Sequence, residues 1–474
     1  MNVTVTLAFV GGIFALLAVG CASEVGVRIE SDAPAVFDNQ PQDHRAQWPS
    51  EEWYRGFSSD QLNALIALAA SNNRDLAGAR ARIAQADARA RQAGAAILPS
   101  VDAQGNATFL AGHSADGTAH ETDWSALLSA SYEVDFWGKN RATANSARFL
   151  ATASRAERDT LALTTLAGVA DGYFQLLTLH ERLAIARSNL DAAQGLLEIV
   201  QARYAVGVAS PMELAIQKST WAAAALVIPE LEQQEGEARA SLALLLGRNP
   251  EGFNIEVEPI DSITEPAVAA GLPAEQLTRR PDIFLAEANL RSANADVAVA
   301  RAEMFPSLNL TAAGGLQNPA LNAAVLTLPG TGSTVALTGT LVQTIFDHGR
   351  LQARRAEAQA RSEELLAAYR TTIVSALIDV ENALGAIQHL DEAQEFQAET
   401  LAQSAQAFEG AKRRYQAGSG DYLSLLEAQR ALYSARDAFV RYKLARLQAK
   451  VSLCKALGGG WQQPSNRYSV MERQ

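Results

Sequence analysis

Two stretches of the chain share one apolar rhythm. Leu176, Leu179, Leu183, Ala186, Leu190, Ala193, Leu197, Val200 and Tyr204 follow in alternating steps of three and four, and so do Leu366, Tyr369, Ile373, Ala376, Val380, Ala383, Ile387 and Leu390. That spacing keeps one apolar seam facing a partner helix. Many seam positions are alanine, which permits close approach. Gln394, Gln397 and Ser404 continue the second register with polar side chains, so that face is expected to meet water. The rhythms lie in proline-free intervals, 138–207 and 349–418. Each begins at a glycine after an aromatic stretch, Phe136-Trp137-Gly138 and Phe346-Asp347-His348-Gly349. Each ends at an arginine-tyrosine turn, Arg203-Tyr204-Ala205-Val206-Gly207 and Arg414-Tyr415-Gln416-Ala417-Gly418. The offset is 211 residues at both ends. Two unbroken helices of about 67 residues are predicted, each roughly 100 Å long. Ordinary helices have three or four turns, so this chain is built to span a distance.

Before each long helix the period changes to two. Leu98-Pro99-Ser100 matches Phe305-Pro306-Ser307, with helical sequence ahead of both. Asp102, Gln104, Asn106 and Thr108 then alternate with Val101, Ala103, Ala107 and Phe109. Across 124–136, Trp124, Ala126, Leu128, Ala130, Tyr132, Val134 and Phe136 alternate with Ser125, Ser129, Ser131, Glu133 and Asp135. The second copy sets Leu308, Leu310 and Ala312 against Ser307, Asn309 and Thr311, then Val335, Leu337 and Leu341 against Thr334, Thr338 and Thr340. Alternation with one apolar face predicts strands. The links between them, Gly112–Gly117 and Pro329–Gly332, are small and polar. Each half therefore reads helix, strand, loop, strand, long helix, turn, helix. Strands of about ten residues with two unlike faces fit a transmembrane barrel. A soluble sandwich has the same alternation, so the strands alone do not choose. Four strands cannot close a membrane barrel, and an open edge cannot sit in lipid. If these strands cross a membrane, several chains must pool them.

Composition narrows the classes. The net charge is −12, which argues against nucleic acid as a partner. Beyond the N-terminus no apolar run approaches the roughly 20 residues of a membrane helix. Residues 7–19 are apolar and are followed by Gly20-Cys21-Ala22-Ser23. The stretch is too short to span comfortably and ends in small residues, as signal peptides do. Cys21 after glycine resembles a bacterial lipoprotein processing site, which makes Cys21 the candidate acylated first residue. The second cysteine, Cys454, lies in a helical run and reads as a packed thiol.

Candidate chemistry is sparse. His44, His113, His120, His180, His348 and His389 lack paired metal-ligand spacing. No Walker lysine motif, His-Glu-x-x-His, Gly-x-Ser-x-Gly or Cys-x-x-Cys is present. Pro329-Gly330-Thr331-Gly332-Ser333-Thr334 lacks a lysine and reads as a hairpin loop. Asp347-His348 stands at a strand-to-helix junction and reads as a cap or interface. No catalytic residue, cofactor or metal site is predicted, and the chain reads as a non-enzyme.

Arg280-Pro281-Asp282-Ile283, Ala286-Glu287-Ala288-Asn289-Leu290 and Phe305-Pro306-Ser307 carry a resemblance. Ala95 to Ser100, Tyr132 to Gly138 and Leu457-Gly458-Gly459-Gly460-Trp461 add to it. With this order and spacing the chain resembles TolC-type outer-membrane efflux channels, and among them the OprM/NodT lipoprotein branch. The resemblance implies an α+β fold: duplicated long helical hairpins forming a periplasmic tunnel, plus four transmembrane β-strands per chain in a trimeric twelve-stranded barrel. It implies a signal peptide over 1–20, an N-terminal equatorial segment over 21–75, and a first repeat over 76–250. An inter-repeat equatorial segment over 251–280, a second repeat over 281–457 and an equatorial tail over 458–474 follow. The implied location is the bacterial outer membrane, lipid-anchored, with the tunnel in the periplasm. The implied partners are two further copies, a periplasmic adaptor, an inner-membrane efflux pump and outer-membrane lipid. The implied role is passive export of small toxic molecules. A coiled-coil adaptor or scaffold and a type I secretion component are the alternatives.

The tips carry the candidate site. Gly207, Val208 and Ala209, with Gly418, Ser419 and Gly420, occupy tight turns and are the adaptor contacts that the resemblance implies. Ser210 reads as the N-cap of a helix starting at Pro211, and Asp421 stands in the same repeat position. By the resemblance, carboxylates just past these turns line the closed entrance, which assigns Glu213, Asp421 and Glu427 to the periplasmic gate. Ser424 stands where the acidic pattern would put a carboxylate.

Overall fold

The computed structural model describes residues 37, 48–114, 117–268, 270, 273, 278–317, 326–327 and 333–463. The chain divides into two units, Met1–Pro34 and Ala35–Gln474. The signal segment, Cys21, His44 and the loop at 329–332 lie outside the described residues, and all elements below belong to the second unit.

The repeat is explicit in element lengths. Helices α1 (Asp60–Asn72) and α2 (Arg74–Ala95) lead into strands β1 (Ser100–Ser114) and β2 (Gly117–Val134), then α3 (Lys139–Ala205) and α4 (Pro211–Leu245). Helix α5 (Pro281–Ala302) leads into β3 (Ser307–Gln317), β4 (Leu326–Thr327) and β5 (Ser333–Val342), then α6 (Arg350–Gln416) and α7 (Tyr422–Ala456). Helices α3 and α6 each have 67 residues, and α4 and α7 each have 35. The predicted long helices are thus present, within two residues of their expected ends.

Each long helix starts where a glycine takes the left-handed backbone, Gly138 at φ +77° and Gly349 at φ +84°. An aspartate from the strand end then satisfies the open amides of the first turn. Asp135 accepts from the Asn140 and Arg141 amides at 3.1 and 2.9 Å. Asp347 accepts from those of Gly349 and Leu351 at 3.0 Å each. Asp347 therefore caps the helix, as its junction position suggested, and Asp135 is its first-half counterpart.

The seams pack as their spacing predicts. Leu176, Leu179, Ala193 and Val200 are buried on α3, and Tyr369, Ile373, Ala376 and Val380 on α6. There are two departures. The α6 seam is polar only for a short stretch: Gln394 accepts from Arg446 Nη1 at 2.8 Å, and from Leu401 the seam returns to the core through Phe408 and Tyr415. Tyr204, last in the α3 register, stands 43 % exposed.

The strands form one antiparallel sheet in the order β1-β2-β3-β5-β4. Its register carries the alternation across four strands. Ser100, Ser131, Thr311 and Thr338 share one row, and Val101, Ala130, Ala312 and Leu337 the next, on the opposite face. Further polar rows are Asp102 and Ser129, and Glu133, Asn309 and Thr340. Further apolar rows are Ala103, Leu128, Gly314 and Val335, and Val134, Leu308 and Leu341. The β1–β2 pairing runs beyond the expected end near 109, closing at Ser114 and Gly117. Residues expected to form a loop from Gly112 onward are thus largely paired, because the backbone ladder continues regardless of small side chains.

Around the middle of the long helices, three separate segments converge. Trp53, Phe57, Leu62 and Ile66 from the N-terminal side, Phe253 and Ile260 from between the repeats, and Val451 and Cys454 of α7 surround Tyr173 and Phe174 of α3. Each fully buried side chain of this size contributes about 1.5–3 kcal/mol. Glu258 accepts from Ser59 and from Tyr173 Oη, the latter at 2.6 Å. The burial of Arg280, 8 % exposed, is offset by charge-assisted bonds: to Asp282 at 2.7 Å and Asp379 at 3.0 Å, with the Ala456 carbonyl at 3.0 Å. The Trp461 indole donates to Asp159 at 3.0 Å.

The Gly458-Gly459-Gly460 run threads this junction. All three have positive φ. A Cβ at Gly460 would run into the backbone of Ser50 and Glu51, and one at Gly459 into Leu163. Gly460→Ala is therefore expected to cost more than about 2 kcal/mol, seen as a lower unfolding midpoint and less protease-resistant protein in membranes. Gly236→Ala, mid-helix with open space around it, is the control and should gain up to about 1 kcal/mol.

Candidate functional site

Among the described residues no helix is long and apolar enough to cross a membrane, so the sheet is the element to consider. Its apolar face is bare in the single chain: Val101 is 63 % exposed and Leu337 83 %. At the base of the strands, Phe136, Ile345 and Phe346 are also exposed. Trp137 stacks on Phe305 at 4.7 Å and donates from Nε1 to the Pro306 carbonyl at 2.7 Å. An apolar band bordered by aromatic side chains is what a bilayer-facing strand surface requires. The strand ends lead within a few residues into α3 and α6.

At the far ends of the helices the two turns have matching backbones. Val208 and Ala209 donate to the Arg203 carbonyl at 2.9 and 3.2 Å. Ser419 and Gly420 donate to the Arg414 carbonyl at 3.0 and 3.1 Å. Gly207 and Gly418 supply the left-handed residue at φ +76° and +74°. Val208, Gly207, Gly418 and Ser419 are exposed, and Gly420 is half-buried. Ala209 is withdrawn into the tip core with Leu196, Val200 and Phe408. Its side chain packs rather than faces outward, because the first turn closes over the α3 seam.

The three carboxylates sit differently. Glu213 forms a capping box with Ser210: its amide donates to Ser210 Oγ and its carboxylate accepts from the Ser210 amide, both at 3.1 Å. Asp421 caps α7, accepting from the Ser424 amide at 2.8 Å and Ser424 Oγ at 2.7 Å. Those two bonds hold its carboxyl below the usual carboxylate range. Glu427 is exposed. All three carboxyl groups stand within ten residues of a turn glycine.

The tips are joined by pairings that the sequence did not indicate. Arg203 Nη1 donates to the Tyr415 carbonyl at 2.8 Å, and its guanidinium lies 4.6 Å from the centre of the Tyr415 ring. Burial raises the Tyr415 hydroxyl above its usual range, and the Glu213 charge adds to it. Tyr422 Oη donates to Gln217 Oε1 at 2.9 Å, and Gln217 Nε2 donates to the Ala193 carbonyl at 3.1 Å. Burial pushes Tyr422 up to about 12. Further along, Tyr433 donates to the Asn189 carbonyl at 2.7 Å, Arg436 to Asn189 Oδ1 at 3.0 Å, and Arg182 pairs with Asp437 at 2.6 Å. Between Arg182 and Asn189 the seam of α3 against α7 is thus a polar ladder, and nearer the tip it is apolar, with Leu196 and Val200 packed in one cluster with Leu425, Leu426 and Leu432.

No cluster of histidine, cysteine or carboxylate among the described residues could hold a metal. Cys454 is buried, and burial pushes its thiol up to about 12, which keeps it a packing group.

A family model described as outer membrane efflux protein matches residues 65–248 and 272–459. The chain is 44 % identical over 429 residues to the pyoverdine export outer membrane protein OpmQ of Pseudomonas aeruginosa, covering 87 % of this chain and 88 % of that one. It is 30 % identical over 416 residues to the cation efflux system protein CusC of Escherichia coli O6:H1, with 87 % and 88 % covered. Among solved structures, the outer-membrane channel OprN superposes with a TM-score of 0.84 at 28 % identity, covering 92 % of this chain and 98 % of that chain.

The sheet register predicts the effect of charge on either face. Ala130→Arg places a guanidinium on the apolar face and should cost about 2–4 kcal/mol at mid-membrane depth, read as loss of membrane-inserted protein. Ser129→Arg, one residue away on the polar face, should insert normally and change conductance. Thiol labelling that failed to alternate along 125–135 would contradict the face assignment.

Proposed function

Because the chain belongs to the outer membrane efflux protein family, it is an outer-membrane exit duct of a tripartite efflux system, and we propose that its cargo is a secreted small molecule of the pyoverdine kind. The duct performs no chemistry. Channels of this family form trimers and work with an adaptor and an inner-membrane pump. The observation that carries the duct reading is the continuous path from a two-faced sheet into two matched 67-residue helices. The cargo reading rests on the 44 % identity to a pyoverdine exporter. A strain lacking this gene should retain such a compound inside the cell and release it again on complementation. Unchanged secretion from the deletion strain would refute that cargo.

The finer reading concerns both ends of the chain's path. In a closed trimer, Glu213, Asp421 and Glu427 repeat three times around one axis and give the entrance a negative field. The capping bonds at Asp421 hold its carboxyl below the usual carboxylate range. Gly207, Val208, Gly418, Ser419 and Gly420 form the adaptor-facing tips, with Ala209 supporting them from beneath. Cys21 is the acylated N-terminus that tethers the chain to the outer membrane.

Two experiments test these assignments. Asp421→Asn combined with Glu427→Gln should weaken cation selectivity and multivalent-cation block in planar bilayers without loss of trimers, since asparagine still caps a helix. Wild-type selectivity and block in that variant would place the acidic gate elsewhere. Mass spectrometry of the mature protein should find an acyl-modified Cys21 peptide. An unmodified chain beginning at another residue would remove the lipid anchor.

A further inference from the structure

Resting on the trimeric-duct reading, we infer that Arg414 of each chain docks on Tyr204 of the partner subunit, so that the closed tip is held by two alternating arginine–tyrosine contacts, one within each chain and one between copies. The first contact is visible. Arg203 of the first hairpin reaches the second, donates to the Tyr415 carbonyl at 2.8 Å and covers its ring at 4.6 Å. Tyr415 is 2 % exposed there. The internal repeat carries the same dipeptide at the other tip: Arg414 stands where Arg203 does, and Tyr204 where Tyr415 does. The turn bonds around them correspond. Gly207 donates to the Tyr204 carbonyl at 3.0 Å and Gly418 to the Tyr415 carbonyl at 3.1 Å, alongside the paired bonds to the Arg203 and Arg414 carbonyls. Both side chains therefore leave the turn from equivalent positions. Yet in the single chain Arg414 is exposed, and Tyr204 is 43 % exposed although it continues a buried seam.

Ring geometry supplies the missing partner. Within a chain, α3 of the first hairpin meets α7 of the second. The repeat-related pair is α6 against α4, and a closed ring of alternating hairpins forms it only between copies. The side chains on those two faces fit such a joint. On α3, Ile185 lies in sequence between Arg182 and Asn189, which bond Asp437, Tyr433 and Arg436 of α7. The repeat places Phe396 at the Ile185 position on α6. On α4 it places Leu226, Ala222 and Ala225 at the positions of Asp437, Tyr433 and Arg436. Phe396 is 75 % exposed and Leu226 60 %. A large ring on one copy thus faces two alanines and a leucine on the next, further along the same joint from the arginine–tyrosine contact. The inter-copy joint is apolar where the in-chain joint is polar, and both end in the same arginine–tyrosine clasp.

Cysteine cross-linking tests the contact directly. Tyr204→Cys together with Arg414→Cys, treated with a short bis-maleimide, should give covalently joined trimers on a denaturing gel. Either single variant should stay monomeric there, because the contact then carries a thiol on one side alone. Arg203→Cys with Tyr415→Cys should cross-link within one chain and run as a monomer. Arg414→Ala, which removes the contact at all three interfaces, should raise the open population of single channels by at least about fivefold, the effect of losing one such contact, and Arg414→Lys should do so less. If the wild type forms conducting trimers but the Tyr204/Arg414 pair does not cross-link between copies, the contact is wrong and the duct reading stands. If the wild type is monomeric and carries no current, both fall.

Discussion

An apolar sheet with open edges cannot rest in hydrocarbon, because every unpaired N–H and C=O there costs several kcal/mol. The sheet of this chain ends at β1 on one side and at β5, with its short partner β4, on the other. Its outer rows, among them Val101 with Ala130, and Leu308 with Leu341, suit lipid. Its inner rows suit water. Only copies of the same sheet, joined edge to edge, satisfy both demands. The rest of the molecule follows from that closure: strands that enter a barrel must leave it as helices arranged around the same axis.

The internal repeat makes the arrangement possible in a single chain. Two equal hairpins need a fixed spacing, and the junction near Tyr173, Arg280 and Gly460 supplies it by tying the start of the chain, the inter-repeat segment and the end of α7 together. Beyond this junction the hairpins are joined by the polar ladder from Glu181 and Arg182 to Tyr422. Hydrogen bonds there exchange for water at small net cost, whereas parting the apolar seam inside a hairpin would not. At the tip the ladder gives way to an apolar cluster shared by both hairpins, Leu196, Val200 and Ala209 with Phe408, Leu425 and Leu426, which holds their ends together.

Much of this was legible in the chain. Alternating three and four steps located both long helices, and the period of two placed each strand's faces, because those signals are local. Ser210 before Pro211 also announced an N-cap, to which the structure adds the capping box closed by Glu213. What escaped was tertiary. Nothing around Arg203, Gln217 or Asn189 indicates partners that lie 212, 205 and 244 residues away. Ala209 reads as a surface turn residue and is core, because the turn folds over a seam whose register the linear pattern does not carry through it. The β1–β2 ribbon outruns its alternating stretch because backbone pairing needs no particular side chains.

The pooling of sheets is the central claim, and the number of chains in the membrane-inserted particle tests it most directly. Native mass spectrometry of protein extracted gently from outer membranes should find three chains per particle, each contributing four long strands to one barrel. A stable, membrane-inserted particle containing a single chain would contradict it, since four strands cannot close around water in a bilayer.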